Sequence, residues 1–173
     1  MNIAKFYMAP ARRAARLVAV QSLYEMELSG KPADQVLNEV ARRRDCNNPQ
    51  NCETEDQLAW PPAETDMAFC GELVRGVNAN YDSIDNLIRG AMVAGRAPRQ
   101  LETILRTILR VGTYELGQRH DIDPPVTISE FVGLAERFFS EKEPALVNGL
   151  LDRIARDLRP DEMMGMHSDV GQG

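Results

Sequence analysis

The chain has 173 residues, of which 43% are hydrophobic and 27% are charged, and its formal net charge is -6. This composition is typical of a globular domain that buries a core without disulfides or a metal. No apolar run approaches the about 20 residues of a membrane span, and no N-terminal secretion signal is evident, so the three cysteines are expected to be reduced in the cytoplasm.

The charge is unevenly distributed along the chain. Residues 1–24 hold Lys5, Arg12, Arg13 and Arg16 and no acid, whereas residues 45–66 hold six acids and no base. The second segment alone accounts for the whole net charge, so the overall acidity says little about what the remainder binds. A basic patch on a nominally acidic protein is physically reasonable.

Helical periodicity dominates the sequence, and no stretch alternates convincingly as a strand. We predict seven helices, whose apolar stripes follow Arg12, Pro32, Thr65, Tyr81, Pro98, Thr127 and Pro144. The fifth helix, opened by Pro98, has so much apolar surface that we expect it to be central and largely buried. In the sixth helix, Thr127 lies three residues before Glu130, the spacing of a capping box. The sequence therefore predicts an all-α fold.

Two segments lack helical periodicity. Residues 45–62, DCNNPQNCETEDQLAWPP, predict an acidic loop inserted between the second and third helices. Residues 161–173 predict a disordered tail. One all-helical domain is then expected over residues 1–160.

The chain offers no catalytic constellation. It has no GxxxxGK[ST] loop and no HExxH motif, and neither of its two histidines lies near a nucleophile in sequence. Cys46 and Cys52 are not spaced as a zinc pair. We therefore expect a binding protein without metal or cofactor, not an enzyme.

The arginines of the first helix are the strongest functional signal. Arg12, Arg13 and Arg16 stand at the predicted head of that helix, where each exposed cation costs roughly 0.3–1 kcal/mol. A bound phosphate would offset this cost, because guanidinium forks and free backbone N–H groups both favour phosphate. The alternative is a solvated face, or pairing with the acidic loop. Since no recognition helix of the DNA-reading kind is evident, single-stranded RNA is favoured over duplex DNA.

Four segments, in order, carry a family resemblance. ARRAARLVAVQSLYEMELSG, ILRVGTYEL, PVTISEFVGLAERF and LVNGLLDRIA resemble the NusB transcription antitermination proteins. The resemblance implies two packed helical bundles and a monomer or homodimer. It also implies that the protein joins the small-subunit ribosomal protein NusE on boxA RNA. That complex forms part of the RNA polymerase antitermination machinery of ribosomal RNA operons.

The resemblance also implies site residues. RNA contacts fall on Arg12, Arg13 and Arg16, and the Val-Asn-Gly motif puts Asn148 at a turn beside the RNA face. Leu146 joins this group, at a position where the family often has an aromatic residue. Tyr24 matches a tyrosine near the shared RNA and partner surface, and we assign Arg106 and Arg110 to partner binding. Ordinary alternatives remain: a core position for Leu146, a helix interior for Asn148, and solvated positions for both arginines of the fifth helix.

Two other functions remain open at this point. Some ribosomal RNA methyltransferases carry a similar helical RNA-binding domain at their N-terminus. A helical protein-interaction module without RNA binding would keep the same fold.

Overall fold

The computed structural model describes residues 3–46, 61–93, 97–140 and 142–164, and every regular element in these ranges is helical. The helices are α1 (Ile3–Ser29), α2 (Ala33–Cys46), α3 (Met67–Ala79), α4 (Tyr81–Ala91), α5 (Thr103–Gln118), α6 (Pro124–Ala135), α7 (Lys142–Leu158) and α8 (Pro160–Met164), with a 3-10 turn at Pro98–Gln100. The all-α prediction is confirmed. Within the described ranges, no helix is long and apolar enough to cross a bilayer.

The chain divides into two compact units, Met1–Asn78 and Ala79–Gly173. In the first unit α1 packs on α2. Gly30 ends α1 in the left-handed conformation (φ 69°), and its N–H donates to the Met26 carbonyl oxygen at 2.9 Å. This is the usual role of a glycine that follows a helix, because other residues are strained there. The core of this unit includes Val18, Leu23, Val36, Val40, Leu73 and Val74.

The second unit is built around α5, which packs on α4, α6 and α7. The side chains of Leu105, Ile108, Leu109, Val111 and Leu116 on α5 are all buried. The prediction of a central, buried fifth helix is confirmed.

Three details of the predicted helices are wrong. Pro98 opens the 3-10 turn, and α5 begins only at Thr103. Helix α6 begins at Pro124, because proline has the backbone angle of a first helical residue and needs no N–H partner there. Thr127 is therefore inside α6 and is not its cap. Its hydroxyl donates instead to Glu115 Oε1 at 2.8 Å, and both side chains are fully buried.

The predicted tail and loop are only partly within the described residues. Residues 160–164 form an eighth helix, α8, because Met163 is buried and the preceding Arg159 is held by hydrogen bonds. Residues 47–60 of the predicted loop and 165–173 of the predicted tail lie outside the described ranges.

Gly112 marks a close approach of α5 to its neighbours, and we expect Gly112→Ala to destabilise the protein. An added Cβ would lie 3.0 Å from Leu151 Cδ1 and 3.3 Å from Phe131 Cδ2, and both neighbours are fully buried. Overpacking should outweigh the roughly 1 kcal/mol gain in helix propensity, giving a net loss of about 1 kcal/mol in urea unfolding. Gly133→Ala is the control. It has no atom within 4 Å of its Cβ and should stabilise by about 0.5–1 kcal/mol. Equal stabilisation by both variants would contradict this account of Gly112.

Candidate nucleic-acid interface

The arginines of α1 are in the interior of the helix and not at its head. Helix α1 begins at Ile3 and runs through Pro10, so Arg12 lies more than two turns from its start. The prediction that these arginines occupy a helix N-terminus is wrong, because Pro10 is inside the helix and does not open it. Free backbone N–H groups are confined to the first turn of a helix. Any anion at these positions would therefore be bound by side chains.

Two of these arginines stack on one aromatic ring. The Cζ atoms of Arg12 and Arg16 lie 5.3 and 5.5 Å from the centroid of the Phe69 ring, at the start of α3. Residues four apart share a helix face, as the sequence predicts, and here that face is turned to α3. Cation–π attraction of this kind is worth about 0.5–2 kcal/mol per pair, depending on desolvation. It explains how arginines can be tolerated next to the core.

The three arginines differ sharply in exposure. Arg16 is only 4% exposed, Arg12 is half-buried, and Arg13 is exposed. Arg13 is thus the most solvent-exposed arginine of this group. Arg16 acts mainly as part of the packing around Phe69.

The turn before α3 ties this region together. The Asp66 N–H donates to the Ala11 carbonyl oxygen at 3.2 Å, and Asp66 Oδ1 accepts from the Phe69 N–H at 3.0 Å. Asp66 therefore caps the start of α3 and links it to α1. Arg44 Nη2, at the end of α2, donates to the Ala63 carbonyl oxygen of the same turn at 2.9 Å.

Tyr24 is on the same helix as Arg13, and both side chains are exposed. The two residues are eleven positions apart, close to three full turns, so they project from one side of α1 with about 16 Å between them. The shared RNA and partner surface predicted for Tyr24 remains a prediction.

Arg110 has its guanidinium committed inside the second unit. The side chain is buried, and its Nε and Nη2 donate to the two carboxylate oxygens of Asp85, each at 2.8 Å. Its Nη1 donates to the Tyr81 hydroxyl at 3.2 Å, and its Cζ lies 4.2 Å from the Tyr81 ring centroid. Partner binding by Arg110 stays a prediction, while the geometry gives it a structural role that links α4 and α5.

Arg106 is likewise buried and hydrogen-bonded within the second unit. It is 9% exposed, and its Nη1 donates to the Leu101 carbonyl oxygen at 3.2 Å. Its Nη2 lies 3.4 Å from the Thr103 hydroxyl oxygen. Arg106 thereby fastens the 3-10 turn to α5. The sequence could not show this burial, because neither arginine differs in its local pattern from a solvated one.

Leu146 and Asn148 both lie on α7. Leu146 is half-buried and Asn148 is exposed. The expectation of a turn at Asn148 is wrong, because α7 is continuous from Lys142 to Leu158 and the residue belongs to its interior. Asn148 lines two adjoining grooves between α6 and α7, of about 440 and 560 Å³, which share Val132 and Asn148.

No metal site or reactive thiol is evident among the described residues. No group of three or more histidine, cysteine, aspartate or glutamate side chains in those ranges could hold an ion. Burial raises the pKa of the Cys70 thiol to about 12, so this side chain stays protonated at neutral pH.

A second group of arginines lies on α2 and is not among the site residues predicted from the sequence. Arg42, Arg43 and Arg44 are consecutive near the end of α2, the last two of them in its final turn, and Arg42 and Arg43 are exposed. The run ARRRD is the sequence pattern that could have indicated this group. Together the fold and these residues define an all-helical protein with arginines gathered on the helices of its first unit, the kind of surface that attracts polyanions.

Comparison with known proteins identifies the family. The profile of the NusB family matches residues 13–156, so the chain belongs to the NusB family. The transcription antitermination protein NusB of Novosphingobium aromaticivorans is 40% identical over 149 residues, covering 86% of this chain and 95% of that protein. Since proteins of this family are antitermination factors and not enzymes, the prediction of a non-enzymatic protein is confirmed.

Solved structures show the same fold. NusB of T. maritima superposes with a TM-score of 0.68 at 30% identity, covering 89% of this chain and 96% of that one. A structure described as the antitermination factors NusB and NusE in complex with dsRNA has a TM-score of 0.67 at 23% identity, covering 86% of this chain and 98% of the matched chain. The predicted NusB-like helical architecture is confirmed.

Proposed function

We propose that this chain is a transcription antitermination factor that binds single-stranded boxA RNA together with the ribosomal protein NusE. It would act in the cytoplasm, within RNA polymerase complexes that transcribe ribosomal RNA operons. Membership of the NusB family is the observation that carries this proposal. It also disfavours the methyltransferase and the RNA-free interaction module, because the related proteins named above are antitermination proteins.

The exposure of the arginines assigns their roles within this function. Arg13, exposed on α1, is proposed as a direct phosphate contact, and the half-buried Arg12 is proposed as a second, more restricted one. Arg16 is proposed to act by supporting Phe69, since only 4% of its surface is exposed. In the second unit, the exposed amide of Asn148 is proposed as a hydrogen-bonding contact to RNA, with Leu146 as a neighbouring apolar surface.

Charge reversal at Arg13 tests the RNA assignment. We expect Arg13→Glu to weaken binding of single-stranded boxA RNA by about tenfold, because a phosphate contact is replaced by repulsion. Binding should be measured by fluorescence anisotropy with NusE present, at several salt concentrations, with the same RNA annealed to its complement as a second ligand. Weaker binding of the duplex by the wild-type protein would support the single-stranded preference.

The control is Arg75→Glu, which changes an exposed arginine on α3 of the same unit. Arg16 is left intact, because an acid at this buried position beside Phe69 would disturb folding and obscure the result. Wild-type affinity in the Arg13→Glu protein would refute the arginine assignment.

A further inference from the structure

The arginine run of α2 lies at the same end of the first unit as the arginines of α1. Arg44 contacts Ala63, and Asp66 contacts Ala11, so one short turn touches both helices. Ala63 and Asp66 are three residues apart and span at most about 11 Å. This turn therefore links the end of α2 to the part of α1 that carries Arg12 and Arg13.

The ion pair at the other end of α3 supports this arrangement. Arg75, late in α3, pairs with Asp34, early in α2, at 2.9 Å. Helices α2 and α3 are thus antiparallel, and the end of α2 lies beside the start of α3, where Phe69 meets Arg12. Six arginines are grouped here as the arginine-rich end: Arg12, Arg13, Arg16, Arg42, Arg43 and Arg44. Within this group the Arg43 side chain reaches Glu25, about 18 Å from Arg13 along α1.

Arg42 and Arg43 are both exposed, and the ion pairs that Arg43 makes in the described part of the chain are long. Arg43 lies 3.7 Å from a Glu25 oxygen and 3.9 Å from a Glu39 oxygen, whereas Lys31 binds Glu39 more closely, at 2.7 Å. Exposed pairs as long as those of Arg43 contribute little and are easily exchanged.

Arg42 is less restrained still. Within the described part of the chain, no acid is found at ion-pair distance from its exposed side chain. Two exposed acids, Asp45 and Glu64, are close to the arginine-rich end in sequence. These carboxylates weaken a general attraction of anions to the surface. It should therefore favour a ligand that places its phosphates directly against the guanidinium groups.

We propose that Arg42 and Arg43 extend the RNA-binding surface and contact phosphates of nucleotides that flank boxA. This inference rests on the proposed function, since it takes boxA bound near Arg13 as its starting point. The flanking RNA would pass from Arg13 over the turn that contains Ala63 to the last turn of α2. Contacts to phosphates add affinity for longer RNA without adding sequence preference.

The test compares two single-stranded RNAs in the presence of NusE: boxA alone, and boxA with about 10 nucleotides added at each end, a length within the range of single-strand binding sites. The double variant Arg42→Ala/Arg43→Ala should bind the long RNA roughly tenfold more weakly. For the long RNA, the slope of log affinity against log salt concentration should become shallower by about 1.4, because each of the two lost phosphate contacts removes about 0.7. Its affinity for boxA alone should be unchanged. Arg75→Ala, at the opposite end of α3, is the matched control.

The outcomes separate this inference from the proposed function. Equal binding of the long RNA by the double variant and the wild type would overturn the inference, and so would equal weakening with both RNAs. If Arg13→Glu still weakens both RNAs in either case, only the role of α2 fails. If Arg13→Glu also leaves both affinities unchanged, the proposed RNA site itself fails.

Discussion

Arg110→Ala is expected to lower the free energy of unfolding by about 3–4 kcal/mol, because it leaves Asp85 without its partner in a largely buried site. The bidentate bonds at 2.8 Å and the stack on Tyr81 would be lost together. Urea unfolding followed by circular dichroism measures the change. Because the pair joins α4 to α5, its loss should destabilise the whole second unit.

This result would decide between two roles for Arg110. If Arg110 instead bound a partner, the alanine variant would keep its stability and lose affinity for NusE. Asp85→Ala in the Arg110→Ala background should add little further loss, since the acid has already lost its partner. Arg89→Ala is the control. Its exposed side chain bonds only Asn86 among the contacts described, and its removal should cost less than about 0.5 kcal/mol.

Arg159→Ala should lower the free energy of unfolding by about 2–3 kcal/mol. Its 4%-exposed side chain donates to the Ile122 carbonyl oxygen at 2.8 Å and holds Glu162 of α8 through two bonds. The variant leaves a buried carbonyl without its donor and releases α8 from the loop after α5. Arg156→Ala, three residues earlier, removes an exposed pair with Asp152 and should change stability by less than about 0.5 kcal/mol. Equal effects of the two variants would contradict the role given to Arg159.

The pH dependence of this contact has a definite sign. The hydrogen bond from Arg159 lowers the pKa of Glu162 in the folded protein. The pair therefore contributes stability above the ordinary glutamate pKa of about 4.3, and that contribution is lost as the pH falls through the lower folded value. The stability difference between wild type and Arg159→Ala should narrow under acid conditions, and unfolding curves between neutral and acid pH measure it.

The helical fold was predictable from apolar periodicity, but several helix starts were not. Prolines caused most of these errors. Pro10 is inside α1, Pro98 opens a 3-10 turn, and Pro124 opens α6 three residues before the predicted cap at Thr127. A proline suits a first helical position, but its presence does not show whether the chain is already helical before it.

The candidate site was harder to predict than the fold. Arginines were found by residue type, but their exposure depends on partners distant in sequence: Phe69 for Arg16, Asp85 for Arg110 and the loop at Ile122 for Arg159. No local pattern contains this information. Arg13 is exposed and Arg16 is buried because α3, which carries Phe69, packs against the side of α1 on which Arg16 lies.

The stack of Arg12 on Phe69 has a consequence for the entropy that this side chain loses when it binds an anion. A free arginine side chain carries about 2 kcal/mol of rotamer entropy, which is lost whenever a ligand immobilises it. Here the aromatic ring has already restricted Arg12 during folding, so its guanidinium is preorganised before any encounter. A nucleotide strand arriving at this helix would meet a cation held in a set orientation, and the thermodynamic penalty of recognition there would be correspondingly smaller.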